Sequence, residues 1–248
     1  MSGARLFRHG RVDSTSERAF AALTKGAAQH GDAHVAAAQT AGRGRLGRRW
    51  ESAEGEGLYL SLVLLPPAPA PNPGALTMGA GLAVLEGVRA LGAGAARLKW
   101  PNDVLVEGAK IAGILVEARG LDPKRPHAVV GVGLNVRQRS FPAELTAERA
   151  VTSLAWLGLD VSCEAALDAL LGRLRERMDE ACRTPEKVAL AYAEALDLFG
   201  ERVRVEHGRG AVRGRLTALT LRGIELETER GTRAALALEH VLRLDPEE

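Results

Sequence analysis

Along the first two hundred residues, short apolar runs alternate with segments whose apolar residues lie three and four positions apart. The apolar and alternating runs predict strands over residues 6–12, 33–39, 58–65, 110–117 and 128–136. Two further short strands are predicted on either side of a Trp-Pro-Asn-Asp turn at residues 100–103. Apolar residues spaced three and four apart predict helices over 18–28, 74–91, 161–183 and 185–199. We expect the helices to pack on a sheet, and residues 66–73, rich in proline and alanine, to form a surface connection.

The pattern changes near residues 198–201. Beyond this point apolar and polar residues alternate in five short segments separated by glycines, at 203–205, 211–221, 224–227, 232–238 and 241–244. Five short strands predict a small β-barrel. The sequence therefore predicts two domains, at 1–198 and 199–248.

Composition indicates a soluble cytoplasmic enzyme. The hydrophobic fraction of 46% and the charged fraction of 26% are typical of a globular protein with a substantial core. A formal net charge of +2 gives no global field toward nucleic acid or membrane, so any anion site must be local. The N-terminus lacks an apolar signal segment, and no run approaches the ~20 apolar residues of a membrane span. Cys163 and Cys182 lie within helical patterns and indicate buried or idle thiols.

The segment 42–50, Gly-Arg-Gly-Arg-Leu-Gly-Arg-Arg-Trp, is the candidate for such a local anion site. Guanidinium groups match phosphate and carboxylate oxygens, and an indole can stack on a purine, so an adenine nucleotide is the first candidate ligand. The alternative is a solvated or nonspecific RNA-binding Arg/Gly run. We call this segment the arginine loop.

Polar residues at strand and helix ends could complete such a site. Ser14 and Thr15 precede a helix, where they either cap it or face a pocket. Lys99 and Asp103 bracket the Trp-Pro-Asn-Asp turn, one a cation for phosphate and the other a Mg²⁺ or ribose partner. Gly131 and Gly133 lie two apart in a buried strand, which predicts space for a flat ligand on one face.

Five motifs in order resemble the biotin protein ligases. They are Asp13-Ser-Thr, Gln39-x-x-Gly-Arg-Gly-Arg-x-Gly-Arg-x-Trp50, Lys99-Trp-Pro-Asn-Asp103, Lys110-x-x-Gly-Ile-Leu-Val-Glu117 and Gly131-x-Gly-x-Asn135. The resemblance spans residues 12–155. It implies an α+β fold with a mixed β-sheet flanked by helices, related to class II synthetases, and a small C-terminal SH3-like β-barrel.

The resemblance also implies an activity. Members of this family activate biotin with MgATP to biotinyl-5′-AMP, then transfer biotin to one lysine of the biotin carboxyl carrier protein domain of a biotin-dependent carboxylase. ATP and Mg²⁺ are therefore the expected cofactors and biotin the expected substrate. The family includes homodimers, so a homodimer is possible, and no membrane partner is expected.

Site residues are carried over only where the motifs match. The implied catalytic residues are Lys110 and Arg43. The implied biotin-binding residues are Ser14, Thr15, Ser16, Gln39, Arg43, Gly44, Arg45, Lys110 and Gly113. The implied ATP-binding residues are Arg45, Arg48, Trp50, Lys99, Asn102, Asp103 and Asn135, with Trp50 stacking on adenine and Asp103 as the metal ligand.

The chain departs from the family pattern in two ways. Where the family often has Asn, this chain has Ser16, so one contact to the biotin ring is left open or is supplied by water. Some members carry an N-terminal winged helix-turn-helix and act as repressors, whereas the first motif here begins at residue 13. We therefore expect no DNA-binding role, and operator binding in a gel-shift assay would contradict this.

The arginine loop is expected to close over the adenylate and exclude water from a reactive mixed anhydride. We therefore predict that Arg43→Ala lets the adenylate escape and label bystander lysines. Unchanged adenylate retention and unchanged target selectivity would contradict this prediction.

Two alternative functions remain. A lipoate ligase would share the fold and adenylate chemistry, although the Gly-Arg-Gly-Arg segment and the C-terminal strands favour biotin. An RNA-binding module would need aromatic platforms, yet only 4% of residues are aromatic.

Overall fold

A computed structural model of the chain describes residues 3–66, 71–119 and 126–247. The predicted surface connection at 66–73 falls partly outside these ranges. The strands of the first 135 residues are β1 (Leu6–Val12), β2 (Ala33–Gln39), β3 (Gly57–Leu64), β4 (Ala96–Lys99), β5 (Asp103–Val106), β6 (Ala109–Glu117) and β7 (Ala128–Asn135). The helices are α1 (Thr15–Thr24), α2 (Pro73–Ala90), α3 (Ala143–Glu148), α4 (Cys163–Arg183) and α5 (Pro185–Leu196). The predicted strands and long helices are confirmed within a few residues. Among the described α-helices only the short α3 was not predicted.

The seven strands form one mixed sheet in the order β1-β2-β3-β7-β6-β5-β4. Only β1 and β2 pair in parallel, and every other neighbouring pair is antiparallel. All eight residues of β3 are buried, because helices cover both faces of the sheet at its centre. The expected α+β fold, with a mixed sheet flanked by helices, is confirmed.

The two faces of the sheet carry cores of different size. Helix α1 packs on one face, where Ala19 and Phe20 meet Val63 and Val129 in a small apolar cluster. Helix α2 covers the other face, and α4 and α5 pack chiefly on α2 and only at a few places on the sheet. The prediction that α4 and α5 pack directly on the sheet is thus correct only in part, since α2 separates them from most of it.

Glycines within α2 make this second helical layer possible. A Cβ on Gly87 would lie 2.5 Å from Leu170 Cδ1, and one on Gly79 would lie 3.1 Å from the Arg177 carbonyl oxygen. Glycine lowers helix propensity but lets two helix backbones approach closely. Two of the glycines that weaken the helical pattern in the sequence, Gly79 and Gly87, are therefore positions where α4 contacts α2.

The C-terminal residues form a second, antiparallel sheet. Its strands are β8 (Arg202–His207), β9 (Gly210–Thr220), β10 (Gly223–Glu227), β11 (Arg233–Ala237) and β12 (Val241–Pro246), in the order β11-β10-β9-β8-β12. All five predicted strands are present. Among the described residues β11 and β12 do not pair with each other, so the sheet is SH3-like in size and content but is not a barrel closed by hydrogen bonds.

Contacts between the two sheets are specific. The Trp100 indole N–H donates to the Val241 carbonyl oxygen at 3.3 Å, and Lys99 Nζ lies 3.2 Å from Asp245 Oδ1. Trp100 and Lys99 both belong to the hairpin formed by β4 and β5. This hairpin therefore places the C-terminal sheet beside the residues that the sequence nominated for phosphate binding.

Candidate active site

Three consecutive hydroxyl residues are buried where β1 turns into α1. Ser14, Thr15 and Ser16 are 3–5% exposed. Ser14 Oγ caps α1 by accepting from the Ser16 amide at 3.3 Å. Thr15 donates instead to a neighbouring strand, through its amide to Gln39 Oε1 at 2.8 Å. Capping explains Ser14, but Thr15 belongs to a longer polar network.

That network includes two serines that the sequence analysis did not nominate. Ser61 Oγ lies 2.8 Å from Thr15 Oγ1 and 3.0 Å from Ser16 Oγ. Ser52 Oγ accepts from Gln39 Nε2 at 2.9 Å and donates to the Trp50 carbonyl oxygen at 3.1 Å. The available signal for Ser61 was that it is the one serine in the apolar run 58–65. A continuous hydrogen-bonded chain thus connects α1 with the end of the arginine loop.

The arginine loop is a short hairpin rather than an irregular segment. A single antiparallel β-bridge pairs Arg43 with Arg49, and the flanking backbone bonds join Gly44 to Arg48 at 2.7 Å and Trp50 to Gly42 at 3.0 Å. Leu46 and Gly47 have φ of +57° and +74° and turn the chain at the tip. The loop therefore has a paired base and an exposed tip, and we also call it the arginine hairpin.

Close packing at the base requires glycine at position 42. A Cβ on Gly42 would lie 2.5 Å from the Trp50 carbonyl oxygen and 2.7 Å from Ser52 Oγ. The loop base and the buried polar network are consequently in direct contact.

A cleft of about 860 Å³ lies between the arginine loop, the β4–β5 hairpin, residues 135–151 and the C-terminal sheet. Ten of the residues predicted from the sequence line it: Gly44, Arg45, Arg48, Trp50, Lys99, Asn102, Asp103, Lys110, Gly113 and Asn135. Ser14, Thr15, Ser16 and Gln39 form the neighbouring buried network. Phe141 and Arg149 also line the cleft and were not predicted.

Lys110 and Asp103 form the most buried ion pair of the cleft. Lys110 Nζ is 2.6 Å from Asp103 Oδ1, and the lysine side chain is 12% exposed. Burial lowers the pKa of Lys110 below its usual value, and the Asp103 charge opposes part of that shift. A β-bridge joins Lys110 to Val151, and the other side of β6 pairs with β5. The backbone of Lys110 is therefore fixed on both sides.

Arg45 is the second desolvated cation in the cleft. Its Nη1 donates to Asn102 Oδ1 at 3.3 Å, while Asn102 Nδ2 donates to the Ile114 carbonyl oxygen at 2.7 Å. Burial lowers the pKa of Arg45, and Asp103 acts in the opposite direction. A partly buried guanidinium favours an anionic ligand.

The Trp50 indole lies on a row of glycines across the sheet. Gly113 of β6 pairs with Gly133 of β7, and a Cβ on Gly133 would lie 2.5 Å from Trp50 Nε1. Lys110 Nζ lies 5.3 Å from the indole centroid, within reach of a cation–π contact. The flat group beside Gly133 is therefore the protein's own Trp50, which corrects the expectation that this glycine leaves open space for a flat ligand.

Two other predicted nucleotide contacts are already engaged by protein groups. Lys99 pairs with Asp245 of the C-terminal sheet. Asn135 donates through Nδ2 to the Thr152 carbonyl oxygen at 2.9 Å and is 6% exposed. Asn135 thereby fixes the chain after α3 against β7, whereas Lys99 lies at the boundary between the two sheets.

Arg43 lies at the base of the hairpin, outside the set of described residues that line the cleft. Its guanidinium pairs with Glu17 of α1 and lies 2.8 Å from Glu117 Oε2 at the end of β6. Sequence analysis paired neither carboxylate with Arg43, because they are 26 and 74 positions away. Of the two arginines assigned to biotin, Arg45 therefore faces the cleft.

This arrangement matches that of a known family. Residues 9–135 match the Biotin/lipoate A/B protein ligase family. The biotin protein ligase of Aquifex aeolicus, solved in complex with biotin and ATP, superposes with a TM-score of 0.79 at 32% identity, covering 98% of this chain and 99% of that one.

Relatives by sequence differ in length. The biotin--[acetyl-CoA-carboxylase] ligase of Mycobacterium tuberculosis is 38% identical over 198 residues, covering 78% of this chain and 71% of that protein. The bifunctional ligase/repressor BirA of Bacillus subtilis is 39% identical over 145 residues, which span 58% of this chain and 44% of that protein. The chain thus spans about half the length of several curated relatives it matches. The family match over residues 9–135 and the match to the Mycobacterium tuberculosis ligase establish that the chain belongs to the biotin/lipoate A/B protein ligase family.

Proposed function

We propose that this protein activates biotin with MgATP to biotinyl-5′-AMP and transfers the biotinyl group to a lysine of a biotin carboxyl carrier protein domain. One observation carries the proposal. The buried network from Ser16 to the Trp50 carbonyl ends beside a cleft that contains Lys110 and Arg45. A neutral ring that needs several hydrogen bonds and an anionic reaction centre would each find matching groups.

The polar network suits the ureido ring of biotin. Gln39 offers an amide donor and an amide acceptor, and the hydroxyls of Thr15 and Ser16 can each donate or accept because their hydrogens rotate. A ligand ring without matching groups would leave buried polar atoms unpaired at a cost of about 1–3 kcal/mol each. Ser16, which stands where the family often has Asn, bonds Ser61 and remains within this network.

The first half-reaction joins two anions. A carboxylate oxygen of biotin attacks the α-phosphorus of ATP, a new P–O bond forms, and the bond to pyrophosphate breaks. Lys110 and Arg45 would neutralise the charge that develops on the phosphate oxygens, and the low exposure of Lys110 strengthens its effect. In the second half-reaction the amine of the carrier lysine attacks the acyl carbon and AMP leaves.

Magnesium fits this cleft only as a partner of the nucleotide. Within residues 3–66, 71–119 and 126–247, no group of three or more His, Cys, Asp or Glu side chains is arranged to hold a metal ion. Mg²⁺ often binds one or two carboxylates together with substrate phosphates. Asp103 would supply such a carboxylate, and the ion would offset the negative charge of the substrate phosphates.

The closest alternative reaction uses lipoate. The decisive experiment measures ATP-dependent pyrophosphate release with Mg²⁺ and either biotin or lipoate, followed by mass analysis of the bound acyl-adenylate. Biotin-dependent release with biotinyl-5′-AMP is the expected result. Turnover with lipoate alone would assign the chain to the lipoate ligases, and no turnover with either acid would reject the proposal.

Asp103→Asn should shift the pH dependence of adenylate formation. Catalysis needs cationic Lys110, so activity falls as pH rises through its pKa, which burial already lowers and Asp103 partly restores. Removing the Asp103 charge lowers this pKa further, and the alkaline limb of kcat/KM should move to lower pH. A pH profile of pyrophosphate release measures the limb, with Asp160→Asn as a control. An alkaline limb at the wild-type pH would contradict this assignment.

Other expectations accompany the proposal. No helix among the described residues is long and apolar enough to cross a membrane. A cytoplasmic location, the lack of DNA or membrane partners and a possible homodimer remain predictions. Within the first sheet β1 and β4 are the outer strands, so a dimer built by sheet extension would use one of them. The division into domains at residues 198 and 199 also remains a proposal.

A further inference from the structure

Four charged residues form an ion network at the base of the arginine hairpin. Arg43 pairs with Glu17 and with Glu117 at 2.8 Å. Arg119 lies 2.7 Å from the same Glu17 oxygen and 3.5 Å from Glu117. We call Glu17 and Glu117 the carboxylate clamp. The clamp joins the hairpin to α1 and to the end of β6. Strand β6 lies within the seven-stranded sheet, and α1 packs on that sheet.

We propose that Glu17 and Glu117 are positioning residues that fix the arginine hairpin over the cleft through Arg43. The proposal rests on the proposed function for its catalytic consequence, but the mechanical role of the clamp does not depend on the ligand. Neither carboxylate lines the cleft among the described residues. Their action is therefore indirect, through the position of the loop.

The clamp is built to hold its geometry. The Arg43 side chain is 30% exposed and Glu117 is 21% exposed, so solvent screens these pairs less than ordinary surface pairs. Arg119 secures Glu17 with two further hydrogen bonds at 2.7 and 3.0 Å and lies 4.1 Å from the Phe20 ring centroid. A bidentate pair anchored on an aromatic ring limits the freedom of the Glu17 side chain.

The hairpin has few other attachments toward its tip. Arg45 bonds Asn102 at 3.3 Å, whereas Leu46 at the turn is 82% exposed. The base, in contrast, is fixed by the clamp and by the packing of Gly42 on Ser52. Because a hairpin moves about its base, we expect the clamp to limit the movement of Arg45.

Loss of the clamp charges should therefore free the hairpin without disturbing the core. In Glu17→Gln and Glu117→Gln the side chains keep their size but lose the ion pairs with Arg43. The hairpin would leave its position beside the cleft more often, and a bound acyl-adenylate would be retained less well. This effect differs from the loss of a group that touches the reacting atoms.

Limited trypsin digestion tests the clamp without any ligand. Arg45, Arg48 and Arg49 are cleavage sites inside the hairpin, and both substitutions lie far from them in sequence, so the recognised peptide bonds are unchanged. The double variant Glu17→Gln/Glu117→Gln should be cut after Arg45, Arg48 or Arg49 about tenfold faster than the wild type, since local opening sets the cleavage rate. Each single variant should lie in between and serves if the double variant folds poorly. The matched control is Glu164→Gln on α4, which removes an exposed ion pair with Arg8 of β1.

A second assay measures the reaction itself. The fraction of biotinyl-5′-AMP released into solution should rise in the double variant, while melting temperatures and the control stay at the wild-type level. Equal rates of hairpin cleavage in the double variant and the wild type would contradict the proposal that the clamp holds the hairpin. Faster cleavage with unchanged adenylate retention would overturn its positioning role. If the wild type made no adenylate, the proposed function would fail, and digestion alone would still decide whether the clamp holds the hairpin.

Discussion

Lys110→Ala is expected to lower kcat for adenylate formation by about 10²- to 10³-fold, the range found when one preorganised charge-stabilising donor is removed. Lys110 Nζ is held 2.6 Å from Asp103 and is shielded from water. Its charge would matter most when negative charge develops on the transferring phosphate. The KM for biotin should therefore change much less than kcat. Steady-state pyrophosphate release gives both constants.

We expect that Lys110→Arg does not preserve the kcat for adenylate formation. The space beside Lys110 is limited, because a Cβ on Gly113 would already lie 3.1 Å from Lys110 Nζ and 2.9 Å from the Trp50 ring. A planar guanidinium is wider than an ammonium group and would displace the indole.

For the Lys110→Ala prediction, Lys187→Ala is a suitable control, since Lys187 is 73% exposed and pairs with Glu180 on α4. A kcat within a few-fold of the wild type for Lys110→Ala would refute the assigned role.

Gly133→Ala is expected to damage both stability and ligand binding. The new methyl group would lie 2.5 Å from Trp50 Nε1 and 2.7 Å from Trp50 Cζ2, so the indole must leave its position on the sheet. Overpacking of this kind costs about 1–3 kcal/mol. Displacement of Trp50 would also move the end of the arginine hairpin and disturb the cleft. Urea unfolding measures the first effect, and biotin binding by calorimetry measures the second.

Gly131→Ala provides the matched packing control. Gly131 lies two residues earlier on the same strand, and its Cβ would meet the Leu115 carbonyl oxygen and Ser16 Oγ at an ordinary 3.4 Å. The free energy of unfolding should therefore change much less than in Gly133→Ala. Equal stability losses in the two variants would show that the Trp50 contact does not set the requirement for glycine.

Much of the fold follows from local pattern. Strands β1, β2 and β7 and helix α2 were predicted within one or two residues, because apolar periodicity and capping residues act over short distances. The order of the strands was not predictable in this way, since β3 pairs with β7 across more than sixty intervening residues. The helix layer was also misjudged, because a periodic pattern shows that a helix buries one face but does not identify the element it contacts.

The sequence by itself determined the chemistry available to this protein. It identified the arginine loop, Lys110, Asp103 and the Ser14–Ser16 cluster, because charged and hydroxyl side chains at glycine-rich turns and element ends are visible in the residue order. It also determined the family, through motifs that keep their order along the chain.

Only the tertiary structure decided how those groups are paired. Ser61 reaches Thr15, Trp50 occupies the glycine row, and Arg43 faces Glu117 instead of lining the cleft. Each of these contacts joins residues 46 to 83 positions apart or depends on which face of the sheet a strand presents. Strand pairing and helix packing fix such distances only when the whole domain is folded, so the physical reason lies in long-range packing and not in the local sequence.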